Sequence, residues 1–122
     1  PYIDDIAADF PGLTIIMAHP AWPWVQEQLA IVVHKPNVYM DLSGYSPKYM
    51  DRSIIDYANY RTPDKMMFGS DYPFIRPLRW LNDYDNAGFR PEVEEGLLFR
   101  NAARLLGIEE SFTYSGPRKA AD

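Results

Sequence analysis

His19 and Asp71 are the residues of this sequence best placed to do chemistry. Each comes directly after an apolar run that reads as a β-strand. His19 closes the run 13–18, and Asp71 follows the run 65–68 by way of Gly69 and Ser70. An imidazole and a carboxylate delivered to one rim can hold a divalent metal or divide general-acid and general-base work. Taken singly, His19 reads equally as a satisfied buried histidine and Asp71 as a turn or helix cap. Ser43 and Gly44 occupy the matching place after the run 38–42.

Other side chains are candidates for binding. Trp22 and Trp24 follow His19 and could wall an aromatic or acyl substrate, or pack on the next helix. Tyr72 and Arg76 follow Asp71. Arg76 could grip a substrate carboxylate through two parallel hydrogen bonds, or stand as a solvated loop arginine. Asp41 lies inside a strand, so it needs a partner and reads as a structural polar contact. His34 falls at a helix C-terminus, where a surface cation is favourable. Asn101 and Arg104 belong to the last helix and read as structural, and Met66 and Met67 as core. With no cysteine, disulfides, thiolate metal sites and a cysteine nucleophile all drop out. There is no Gly-rich phosphate loop, no Gly-x-Ser-x-Gly elbow and no Cys/His finger.

The elements that must position these residues alternate. Residues 1–10 place Ile3, Ile6, Ala7 and Phe10 on one helical face, and Pro11-Gly12 ends it. The run 13–18 does not alternate apolar with polar, which predicts a strand buried on both faces. Pro23 suits the first position of a helix reaching His34, and Lys35-Pro-Asn37 breaks it. A strand over 38–42, a helix over about 48–60 and a short strand over 65–68 come next. Pro91 then opens a last helix with Glu92, Glu94 and Glu95 in its first turn and Gly107 just past its end. The order is α-β-α-β-α-β-α. Strands starting near 13, 38 and 65 are 25 and 27 residues apart, the spacing of βαβ units in a parallel sheet. Residues 1–110 form this unit, and the polar residues 111–122 read as a flexible tail.

Composition bounds the rest. The 122 residues carry 12 basic and 17 acidic side chains for a net charge of −5, with 47% hydrophobic and 15% aromatic residues. That suits one globular unit and excludes general disorder. The acidic balance, without a Lys/Arg stripe, argues against nucleic acid as partner. No apolar run approaches the ~20 residues of a membrane span, and no secretory signal is present. A cysteine-free chain suits a reducing cytoplasm. Three parallel strands leave both outer edges unpaired, whereas a complete eight-unit barrel takes about 250 residues. The expectation is therefore roughly three-eighths of a barrel cut from something longer.

Four blocks occur in order: Ile15-Ile-Met-Ala-His19, Asn37-Val-Tyr-Met-Asp-Leu-Ser-Gly44, Met67-Phe-Gly-Ser-Asp-Tyr-Pro73 and Asn101-Ala-Ala-Arg-Leu-Leu-Gly107. Together they resemble the C-terminal part of the amidohydrolase-related family that includes α-amino-β-carboxymuconate-semialdehyde decarboxylase, over residues 1–108. The resemblance implies an α/β fold, a metal-dependent (β/α)8 TIM barrel in which these are the sixth, seventh and eighth strands. It implies that Asp71 is a metal ligand that also orients or deprotonates water, and that His19 is the base beside the metal, most naturally zinc. Pro20 stands where relatives commonly have glycine. The His-x-His pair of the first strand and the histidine of the fifth would lie upstream of Pro1.

Three functions are compatible with this. The first is hydrolysis of a small carboxylic or acyl compound by metal-activated water. The second is nonoxidative decarboxylation of an aromatic or enol acid, with His19 or Asp71 protonating carbon. The third is an inactive fragment or split-barrel half that needs the N-terminal barrel segment, in cis or in trans, or pairs with copies of itself. One aspartate and one histidine do not complete a metal site, so the 122 residues alone are expected to be inactive.

Overall fold

Three short parallel strands carry the apolar runs to a common end. In the computed structural model, which describes residues 2–116, they are β1 (Ile15–Met17), β2 (Val38–Asp41) and β3 (Met66–Met67), in the order β1-β2-β3. Ile15 pairs with Val38, Met17 with Met40, Met40 with Met66 and Asp41 with Met67. The helices are α1 (Tyr2–Asp9), α2 (Val25–His34), α3 (Arg52–Asp56), α4 (Pro77–Tyr84), α5 (Pro91–Glu95) and α6 (Asn101–Leu106). A π-helical turn at Tyr57–Arg61 prolongs α3, and another at Gly96–Arg100 joins α5 to α6. Short 3-10 turns cover Pro47–Tyr49 and Glu109–Ser111.

The helices cover one face of the sheet. Val25, Leu29 and Val32 of α2, Ile54 of α3, Ala58 and Leu97 close one core over Val38, Met40, Leu42 and Met66. Residues at alternate positions on a strand point to opposite faces, so Ile16, Tyr39 and Asp41 turn the other way, toward the side the helices leave open. Ile16 is 46% exposed. The expectation that the first strand is buried on both faces therefore fails, because β1 is an edge strand with no layer above Ile16 among the described residues.

Polar side chains tie the layers where the backbone cannot. Asn37 donates to the carbonyls of Ala7, Phe10 and Leu13 at 3.2, 3.2 and 2.8 Å, fastening α1 to the start of β2. Asn101 donates to Pro63 O and Met66 O, both at 2.7 Å, and Arg104 to Asp64 O at 2.6 Å, the structural roles expected of them. Lys65 reaches Val32 O in the last turn of α2 at 2.6 Å and Lys35 O just past its end at 2.5 Å. Burial draws its ammonium below the usual lysine range, opposed by Asp64 nearby.

Two elements depart from the sequence expectation. α2 begins at Val25, not at Pro23, which lies instead in a turn with Trp22 ahead of the helix. Residues 77–84, left without an element by the sequence, form α4. Its Trp80 is fully buried, in edge contact with Phe68 at 4.9 Å and stacked near Tyr84 at 5.7 Å. The Trp80 indole donates to Leu42 O at 3.2 Å, so α4 braces the exit of β2. Of the tail expected over 111–122, residues 117–122 lie outside the described residues. Before them, the Tyr114 ring stacks on Phe99 at 5.9 Å.

Candidate active site at the strand ends

All three strands end on one side of the sheet, and the loops leaving them bring His19, Ser43 and Asp71 together. His19 Nε2 lies 4.0 Å from Asp71 Oδ2, their side chains 45% and 38% exposed. Both residues adopt the left-handed backbone conformation, His19 at φ 68° and Asp71 at φ 65°. Such positions are uncommon for residues with a Cβ and gather at functional sites. The Asp71 carbonyl accepts from the amides of Phe74 at 2.9 Å and Ile75 at 3.4 Å, closing a tight turn around the carboxylate.

The His19 loop is held from below by Gln28, a buried polar residue on the apolar face of α2. Its amide donates to His19 O at 2.8 Å and accepts from Ala21 N at 2.8 Å. The ring is held by Ser43, whose hydroxyl lies 2.7 Å from His19 Nδ1. Ser43 is 7% exposed; its hydroxyl donates to Asp41 Oδ1, which also accepts from the Ser43 amide at 2.8 Å. Asp41 therefore does have the partner it needs, and that partner connects it to the histidine.

Two glycines make room. A Cβ on Gly44, at φ 76°, would fall 2.7 Å from His19 Nδ1, and one on Gly69 would fall 2.9 Å from Ser43 Cβ and 3.0 Å from Asp41 Oδ1. The linked residues Asp41, Ser43 and His19 are thus packed against bare backbone from two strand exits.

The remaining candidates stay outside this cluster. Trp22 and Tyr72 flank it on their loops, each 72% exposed. Arg76 is exposed at the start of α4 and, among the described residues, its guanidinium makes no hydrogen bond or ion pair. Trp24 is exposed ahead of α2, and His34 is exposed at its end, as expected. A groove of about 220 Å³ opens beside Gly44, lined by Tyr45, Tyr49, Phe74 and Arg79 among others. Arg79 carries no mark in the sequence, because nothing there signals residues 77–84 as a helix returning to the rim.

A family profile described as Amidohydrolase matches residues 1–108. The chain belongs to this amidohydrolase family. Its fold is shared by the crystal structure of an uncharacterised TIM-barrel protein from Bordetella bronchiseptica, 34% identical, with a TM-score of 0.77 over 87% of this chain and 38% of that one. The amidohydrolase chain thus spans well under half the length of that relative. No curated protein gives a match.

Amidohydrolases typically use divalent metals. In this chain Asp71 offers a hard, half-exposed carboxylate, but no group of three or more His, Cys, Asp or Glu side chains among the described residues could enclose an ion. The Asp71 carboxylate has the chemistry of a metal ligand but no companion ligands among the described residues. No helix among the described residues is long and apolar enough to cross a membrane.

Proposed function

We propose that this chain is the C-terminal part of a metal-dependent hydrolase barrel, its strands the sixth to eighth, acting on small carboxylic or acyl compounds. The observation that carries the reading is the 4.0 Å approach of His19 Nε2 to Asp71 Oδ2 from two strands that flank a third. Two ligands of one tetrahedral ion with bonds near 2.05 Å stand about 3.3 Å apart. The two groups therefore need not share one ion, and we assign the ion to Asp71, whose carboxylate is a hard charged ligand, and the proton to His19, whose imidazole can carry one near neutral pH.

When bound, a divalent cation supplies Lewis acidity and lowers the pKa of water at the site. Asp71 holds and orients through its carboxylate. His19 Nε2 faces the same space and can accept a proton from the attacking water and return it to the leaving group. The groove beside Gly44 is sized for a small molecule, and Arg79 on its wall suits a carboxylate. Trp22, Tyr72 and Arg76 stand on the flanking loops as further substrate contacts. The missing ligands would come from an N-terminal barrel segment, in cis or in trans, and the cytoplasm is the compartment proposed.

The test is a panel of small esters, amides and lactones offered to the full-length protein after chelation and after reloading with zinc, with carbon dioxide release followed in parallel. Hydrolysis that is lost on chelation, restored by zinc and absent in His19→Gln supports the reading. Turnover that releases carbon dioxide without hydrolysis overturns it in favour of a carboxy-lyase using the same residues. Zinc-independent hydrolysis overturns it outright.

A further inference from the structure

With Asp41 as a carboxylate, the hydrogen bonds around Ser43 leave one arrangement of protons. A serine hydroxyl has one proton to donate and can accept at its lone pairs, whereas a carboxylate can only accept. The Ser43 hydroxyl touches both Asp41 Oδ1 and, at 2.7 Å, His19 Nδ1. If its proton pointed at the imidazole, two bare oxygens would face each other across the Asp41 contact. The proton therefore goes to Asp41, and the Ser43 oxygen must receive a proton from His19 Nδ1. The Ser43 amide, donating to the same Asp41 oxygen at 2.8 Å, holds that carboxylate in place.

We infer that Asp41 and Ser43 are positioning residues that fix His19 as its Nδ1–H tautomer, leaving the Nε2 lone pair turned toward Asp71. Free imidazole side chains in water favour the opposite tautomer, with the proton on Nε2. The Asp41–Ser43 pair thus reverses the intrinsic preference and presents a proton acceptor to the rim. Among the described residues, Ser43 makes the one hydrogen bond to the ring. The ring is in contact range of Gly44, where any Cβ would collide with Nδ1 at 2.7 Å. Gln28 holds the His19 carbonyl and does not reach the ring. The spacing of two between Asp41 and Ser43 puts both side chains on one side of the extended chain, which is what lets a strand end act as a relay.

This deepens the catalytic role proposed for His19, and its test reads the tautomer independently of turnover. Nitrogen chemical shifts of histidine-labelled, zinc-loaded full-length protein distinguish protonated from bare ring nitrogens. The spectrum is taken near pH 8.5, about two units above the ordinary imidazole value, and the signal is assigned by its loss in His19→Gln. Wild-type protein is expected to carry the proton on Nδ1. Ser43→Ala should relax His19 toward the Nε2–H form, and Ser43→Thr, which keeps the hydroxyl, should restore Nδ1–H. Asp41→Ala frees the serine proton to point at Nδ1, so it should likewise move the tautomer to Nε2–H even though the Ser43 hydroxyl is kept. Turnover should fall about 10- to 100-fold in Ser43→Ala and Asp41→Ala, as for other supporting partners of active-site histidines, through kcat with little change in KM.

A wild-type spectrum with the proton on Nε2, or a tautomer unmoved by both Ser43→Ala and Asp41→Ala, overturns the inference. The two proposals fail separately. An Nδ1–H tautomer in a protein whose His19→Gln variant turns over normally keeps the relay and removes the catalytic role. An Nε2–H tautomer in a protein inactivated by His19→Gln does the reverse.

Discussion

His19 and Asp71 leave their strands in the same left-handed conformation, at φ 68° and 65°, and are the only non-glycine residues among those described with positive φ. The shared conformation turns both side chains back over the end of the sheet, where they meet at 4.0 Å. For a residue with a Cβ this backbone costs roughly 1–2 kcal/mol, less for Asp and Asn. Strain and function can therefore be separated at Asp71. Asp71→Asn should leave stability within about 0.5 kcal/mol, since Asn tolerates this conformation, while weakening metal binding and abolishing turnover. Asp71→Val should lose turnover equally and also destabilise by about 1–2 kcal/mol. Urea midpoints and metal content of the two variants measure both effects. Equal midpoints would mean that the backbone relaxes and stores no strain.

Gly44 and Gly69 test how finely the histidine is placed. A Cβ at Gly44 must push the His19 ring, because the imidazole nitrogen stands only 2.7 Å from it. A displacement near 1 Å costs about 100-fold in rate, so Gly44→Ala should lower kcat/KM by about that factor. Gly69→Ala meets Ser43 Cβ and Asp41 Oδ1 instead and acts through the relay, with a smaller loss expected. Gly12 has nothing within 4 Å of its Cβ position, so Gly12→Ala is the control and should leave kcat/KM unchanged. Comparable losses in all three would tie the effect to glycine loss in general and not to crowding at His19.

How far the sequence revealed this site follows from local and long-range chemistry. A non-alternating apolar run marks β1, shorter apolar stretches mark β2 and β3, and the residues just past each fall at a strand end, so His19, Ser43 and Asp71 were legible. The partnership of Asp41 with Ser43 is written in their spacing of two. What the spacing could not show is that the hydroxyl would reach a ring 24 residues away. Gln28 sits at a helical step between Val25 and Leu29, where it reads as an interruption of the apolar face until the loop carbonyl it serves is in view. α4 escaped because its start offers only Pro77. Arg76 gives no side-chain cap, and there is no acidic residue in the first turn. The exposure of Ile16 was hidden for a different reason, since a run of apolar residues states what a strand tends to bury and not whether a neighbour is present to cover it.

Tyr114 makes stability depend on alkaline pH. Burial, with Glu94 accepting its hydroxyl proton at 3.1 Å, pushes its phenol from the ordinary value near 10 up to about 12. Between those values the unfolded chain has released this proton and the folded chain retains it, so unfolding gains from rising pH. The contribution of Tyr114 is complete below pH 10 and lost as pH climbs through about 12. Tyr114→Phe preserves the stack on Phe99 and removes the titration. Melting temperature plotted from pH 9 to 12 should fall less steeply in the variant than in the parent, and parallel curves would exclude the phenol as the cause.

Trp80 links packing to the site, because its indole donates to Leu42 O and Leu42 directly precedes Ser43. The ring is fully buried among Phe68, Tyr84 and Phe89. Trp80→Ala should cost about 3–5 kcal/mol in urea unfolding, the range for removing a large buried aromatic. Trp80→Phe keeps part of the packing but leaves the Leu42 carbonyl without its donor, a loss of about 1–3 kcal/mol. Tyr84 has the opposite problem. Its hydroxyl is buried with no hydrogen-bond partner, and burial, reinforced by Glu94, pushes its phenol above the ordinary range. Deleting an unsatisfied buried hydroxyl removes a desolvation cost, so Tyr84→Phe should match or exceed the parent in stability. The relay should feel only the tryptophan. Trp80→Phe releases the backbone that carries Ser43 and should lower turnover, whereas Tyr84→Phe, stacked on the same cluster but making no hydrogen bond to Leu42, should leave it intact. A turnover loss in Tyr84→Phe equal to that in Trp80→Phe would mean that general loosening of α4, not the Leu42 bond, governs the site.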